Sequence, residues 1–116
     1  MNEGIKQLGM NVSNLRSKGR LNFSVPRLVL LGGEGPDSVS ISWIRRLEQG
    51  TLETLPKVDT LASLLKLLRV AGATLEDLRG LLNGLSIYGS RRGHGAALFL
   101  NLTEAIERTA DEPGSS

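Results

Sequence analysis

The sequence predicts an all-α fold: five short helices, then a longer amphipathic helix towards the C-terminal end. Three observations lead there. Apolar residues recur at intervals of three and four, the period at which side chains share one face of a helix. Cap residues stand where those runs begin and end: Ser24 before Val25-Pro26, Ser40 before Ile41, Thr74 ahead of Asp77, and Gly50 after Gln49. Alternation of the kind a strand needs is confined to Leu85-Ser86-Ile87-Tyr88.

The first helix carries Ile5, Leu8, Val12 and Leu15 on one stripe and is expected to stop at Gly19, between Lys18 and Arg20. Ser24 caps the second, with Pro26 in its first turn, and Gly32-Gly33 ends the apolar run Leu28 to Leu31 after barely two turns. Gly32 to Ser38, with three glycines, a proline and two acids, reads as a loop. The third helix starts behind Ser40, turns Ile44 and Leu47 inward and ends at Gly50. Pro56 is expected to open the fourth, which places Val58, Leu61, Leu64, Leu65 and Leu68 at helical spacing. Thr74 to Asp77 resembles a capping box with Asp in place of Glu, and it opens a fifth helix with Leu75, Leu78, Leu81 and Leu82. Residues 85–95 then read as a short strand or a flexible basic linker holding Arg91, Arg92 and His94. Residues 96–110 form the amphipathic helix, and 111–116 a disordered tail.

Composition narrows the function classes. The chain has 116 residues, 40% of them hydrophobic and 22% charged, ordinary values for one globular domain. No apolar run approaches the roughly 18 residues of a membrane helix. The first residues lack the basic and apolar stretches of a secretory signal, so a cytoplasmic location is expected. With no cysteine and one histidine, the usual nucleophiles, general bases and metal ligands are nearly absent. Gly32-Gly33-Glu34-Gly35-Pro36 lacks the lysine of a phosphate-binding loop. Neither an enzyme nor a cofactor is expected. Residues 1–92 hold thirteen Lys/Arg against eight Asp/Glu, a balance of +5, while 93–116 hold one against four, a balance of −3. A basic body with an acidic end suits a polyanionic partner.

A short helix, a turn and a second short helix ending in Leu-Glu-Gln-Gly is a helix-turn-helix arrangement. From Leu8 to Leu82, about two-thirds of the chain, the sequence resembles the Cro/repressor-type (XRE) helix-turn-helix family of phage and bacterial regulators. The resemblance rests on LGMNVSNLR at Leu8 to Arg16, VSISWIRRLEQG at Val39 to Gly50, PKVDTLASLLKLL at Pro56 to Leu68, and TLEDL at Thr74 to Leu78. It implies a five-helix DNA-binding domain over residues 1–84, with the third helix in the major groove and its first residues on base edges. By the same resemblance, Ser40 caps that helix and touches phosphate. Ile41, Ser42 and Arg46 face bases, Arg45 lies beside them near the backbone, and Arg16 and Glu48 tie the first helix to the third. The chemistry is apt: arginine takes a guanine edge bidentately, serine bonds either base type, and isoleucine packs on a thymine methyl. Lys18, Arg20, Arg27, Arg45 and Lys57 are candidates for phosphate. Three departures stand out. Val25-Pro26 occupy the place of a phosphate-binding glutamine. The turn between the second and third helices is longer by roughly four residues. Trp43 takes a position commonly small, so it either fills space beneath the longer turn or projects towards DNA or a partner.

Such domains bind two half-sites about one helical turn apart, so a homodimer is expected. The stripe Leu98, Phe99, Leu102, Ala105 and Ile106 is assigned to that association, the alternative being that it folds back on its own domain. The function expected is a sequence-specific double-stranded-DNA-binding transcriptional regulator, a dimeric repressor. An antitoxin-like interaction protein, gripping a protein partner through the C-terminal helix, is the competing reading.

Overall fold

The computed structural model of the chain describes residues 3–18, 21–32, 39–85 and 94–111. They form α1 (Glu3–Lys18), α2 (Val25–Gly32), α3 (Ile41–Gln49), α4 (Val58–Ala71), α5 (Leu75–Arg79), a 3-10 turn at Gly80–Leu82, and α6 (His94–Asp111). No strand occurs among the described residues.

Local chemistry accounts for most boundaries. The Ser24 Oγ accepts the Arg27 N–H at 3.4 Å at the head of α2, where Pro26 needs no donor. Thr74 and Asp77 form a reciprocal capping box: the Asp77 N–H donates to Thr74 Oγ1 at 3.1 Å, and the Thr74 N–H donates to Asp77 Oδ2 at 2.9 Å. The fifth helix is shorter than the leucine spacing implies, because after Arg79 the chain tightens into the 3-10 turn, which still buries Leu81. The fourth helix begins at Val58 rather than Pro56. Pro56 is buried, and its carbonyl accepts the Asn101 Nδ2–H at 3.1 Å, so it belongs to the extended approach to the helix.

Leucine fills the interior. Leu8 and Val12 of α1, Leu28 of α2, Ile44 and Leu47 of α3, Leu61, Leu65 and Leu68 of α4, and Leu78 of α5 all have no measurable exposure. At about 1.5–3 kcal/mol for each large apolar side chain removed from water, this shared core is the main force holding short helices that would not persist alone. α1 packs against both α3 and α6, α2 against α4 and α3, and α4 against α6.

The last of these contacts corrects the expected domain division. Leu98, Leu102, Ala105 and Ile106 are buried in the common core, with Phe99 half-buried against it. The stripe assigned to association is therefore occupied within the chain, as the alternative reading had it. Two further side chains tie α6 down: the Asn101 amide holds the Pro56 carbonyl, and Arg108 pairs with Asp59 of α4 at 2.8 Å. His94, expected in the linker, is the first residue of α6, and Leu85 is a buried core residue. The strand expected through Tyr88, Arg91-Arg92, the loop from Gly33 to Ser38 and the tail beyond Asp111 lie outside the described residues.

Candidate nucleic-acid interface

α3 is fixed at both ends by its own sequence. The Ser40 Oγ accepts the Trp43 N–H at 3.1 Å, satisfying one of the unpaired donors of the first turn. Gly50 has φ +74°, the left-handed region, from which its N–H reaches the Leu47 carbonyl and the Thr51 N–H the Arg46 carbonyl. Between these caps lie nine residues with only Ile44 and Leu47 fully buried.

Successive helical residues are about 100° apart, so the line midway between Arg45 and Arg46 points away from both Ile44 and Leu47 by about 150°. That line is the centre of the outer face. Ser42 and Gln49 fall on it to within about 10°, and Arg45 and Arg46 stand about 50° to either side. Exposure agrees: Ser42, Arg45, Arg46 and Gln49 are exposed, while Ile41, Trp43 and Glu48 on the flanks are partly buried. Neither guanidinium has an ion-pair or hydrogen-bonding partner among the described residues.

The one carboxylate of α3 is turned away from that face. Glu48 Oε1 and Oε2 accept from Arg16 Nη2 and Nε at 2.7 and 2.8 Å, a bidentate pair whose side chains are 13% (Arg16) and 11% (Glu48) exposed. Arg16 Nη1 also donates to the Phe23 carbonyl at 2.7 Å, so a single guanidinium ties α1 to α3 and to the segment entering α2. The hydrogen bonding that Arg16 donates to Glu48 raises the Arg16 pKa above its ordinary value, and burial opposes the rise. This is no ordinary surface pair, because water is largely excluded from it.

Close packing sets the depth of α3. Gly9 of α1 lies against the Leu47 carbonyl, and a Cβ there would fall on that oxygen. Glycine therefore lets the two helix backbones meet. Trp43 packs half-buried against the core; the longer turn it was expected to underlie is outside the described residues.

Of the residues expected to read bases, Ser42 and Arg46 share the outer face. Ile41 does not: it is half-buried and packed against the core, about 90° from the face's centre. Among the phosphate candidates, Ser40 caps α3, Arg45 lies on the outer face, and Lys57 is exposed just before α4. Arg27 is exposed with its guanidinium 5.2 Å from the centre of the Phe23 ring, a cation–π arrangement that holds it beside α2. Arg20 and the side chain of Lys18 lie outside the described residues. The sequence reading missed Gln49. Its signal was the seven-residue interval from Ser42, two helical turns, which puts both on one line.

Among the described residues, no three His, Asp or Glu side chains gather where they would hold a metal ion, and no helix is long and apolar enough to cross a membrane. Comparison with known protein families, curated proteins and solved structures finds no match for this chain.

Proposed function

We propose that the protein is a sequence-specific double-stranded-DNA-binding regulator of transcription that lays α3 in the major groove. The observation that carries this is the outer face of α3: two arginines with no partner among the described residues, a serine and a glutamine, with the helix's only acid drawn inward to Arg16. Such a face meets the acceptor-rich edges and phosphates of DNA without internal competition. Ser42 and Arg46 read bases, and Arg27, Arg45 and Lys57 contact phosphate, with Ser40 at the head of the helix. The +5 balance over residues 1–92 favours the same partner. The protein acts in the cytoplasm, on nucleoid DNA, as a binding protein without catalysis. It represses by covering a promoter, as a homodimer whose contact lies outside the buried stripe of α6.

The test is a fluorescence-anisotropy titration of labelled upstream DNA against random duplex, repeated across salt concentrations. Binding to one site roughly a thousandfold tighter than to random duplex, with log affinity falling steeply with log salt, is the expected result. Equal, weak binding to both duplexes overturns the proposal.

The competing interaction-protein reading has an observation of its own: Leu30 is 77% and Leu31 40% exposed on α2. Isolated exposed leucines are common on soluble proteins, so they weigh less than an entire helix face of donors.

A further inference from the structure

The geometry of α3 points to the kind of sequence it selects; this inference rests on the DNA-binding reading above and deepens it. Arg45 and Arg46 straddle the centre of the outer face, about 50° to either side at nearly the same height along the helix. When that face is turned to the floor of the major groove, side chains on opposite flanks lean towards opposite strands. Each guanidinium is exposed, donor-only and without a partner among the described residues. The base edge offering two acceptors to such a fork is guanine, through O6 and N7. Cytosine presents an amino donor and requires an acceptor such as Glu. The one carboxylate on α3, Glu48, is held by Arg16, which leaves only the neutral oxygens of Ser42 and Gln49 as acceptors on the outer face.

We infer that α3 selects a dinucleotide step carrying guanines on opposite strands, CpG or GpC, with Arg45 and Arg46 each taking one guanine and Ser42 lying between them. Arg45 thereby moves from the phosphate contacts to the base readers.

The experiment selects bound molecules from a pool of duplexes with a randomised centre, using the full chain, the Arg45→Gln variant and the Arg46→Gln variant. Both positions are exposed, and a circular-dichroism melt like that of the parent checks the fold. For the parent, the recovered sequences carry a CpG or GpC step. Each variant converts one guanine of that step to adenine, the base glutamine prefers, and the two variants act on opposite strands. In the selected parent duplex, 7-deazaguanine at either guanine weakens binding by about 5- to 150-fold. Inosine, which keeps the major-groove edge, leaves it unchanged. Recovered sequences with guanine on one strand only, or with none, overturn the inference while leaving DNA binding in place. The same holds for an Arg45→Gln variant that binds uniformly more weakly without changing its preference. Failure to enrich any sequence overturns the inference and the DNA-binding reading together.

Discussion

At the scale of single residues, α3 depends on one group that reaches outward and one that is missing. Arg46 is exposed on the outer face, its guanidinium without a partner among the described residues, so replacing it removes donors without disturbing the core. Arg46→Ala should cost about 1–3 kcal/mol on the specific site and relax preference at one base pair. Titrations of matched and single-substituted duplexes check this, and equal losses on specific and random DNA would assign the side chain to phosphate. Gly9 acts by lacking a side chain. A methyl group there meets the Leu47 carbonyl, backbone that cannot rotate away, so α1 and α3 must separate. Gly9→Ala should destabilise the fold by about 3 kcal/mol, towards the upper end of overpacking effects. Urea denaturation measures this, and an unchanged midpoint would show that the helices yield at that contact without cost.

At the scale of elements, the Arg16–Glu48 pair holds α3 against α1 and the entry to α2. Removing one partner leaves a largely buried charge, so Arg16→Ala should cost about 3–5 kcal/mol. Replacing both by apolar residues of similar size, Arg16→Met with Glu48→Leu, should recover most of that loss, since no charge then stays unpaired. Denaturation of the two variants separates the cases, and an Arg16→Ala loss below about 1 kcal/mol would make the pair a surface contact after all. The pH dependence has a definite sign. The Arg16 pKa is raised in the folded state, so its contribution is complete below the ordinary arginine value and is lost only as pH rises past the folded one. Stability owed to Arg16 should therefore be flat across neutral pH, which denaturation at several pH values checks. These elements also show what the sequence could reveal. α3 was legible throughout because Ser40, Gly50, Ile44 and Leu47 act within the helix or one residue beyond it. The Arg16–Glu48 pair was legible only through a family resemblance, since nothing local joins residues 32 positions apart. The start of α4 was misread for the same reason: Pro56 has the chemistry of a first helical residue, but its carbonyl is claimed by Asn101, 45 residues on.

At the scale of the whole molecule, the question is what the apolar stripe of α6 is for. Amphipathic spacing shows that a face is buried, not what buries it, so the sequence left a second copy, a protein partner and the chain's own core all open. In the fold, α6 lies on α4 and α1, and Leu98, Leu102, Ala105 and Ile106 complete the interior that α1 and α4 begin. Without α6, that surface of α1 and α4 would face water. Four buried side chains at about 1.5–3 kcal/mol for each large one amount to a sizeable part of a total stability that for small domains is only about 5–15 kcal/mol. Truncation after Gly95 should therefore abolish cooperative folding rather than leave a folded monomer. Within the full chain, Leu102→Ala should cost about 2–5 kcal/mol without shifting the sedimentation behaviour, because the residue faces its own core and not a second copy. Trp43 is the only tryptophan and sits in α3, not in α6, so its fluorescence reports another element packed on the same core. In the full chain its unfolding transition should coincide with that of far-ultraviolet circular dichroism. If the truncated chain still shows one sharp transition by both probes, α6 is an appendage. Its stripe would then again be available to a partner.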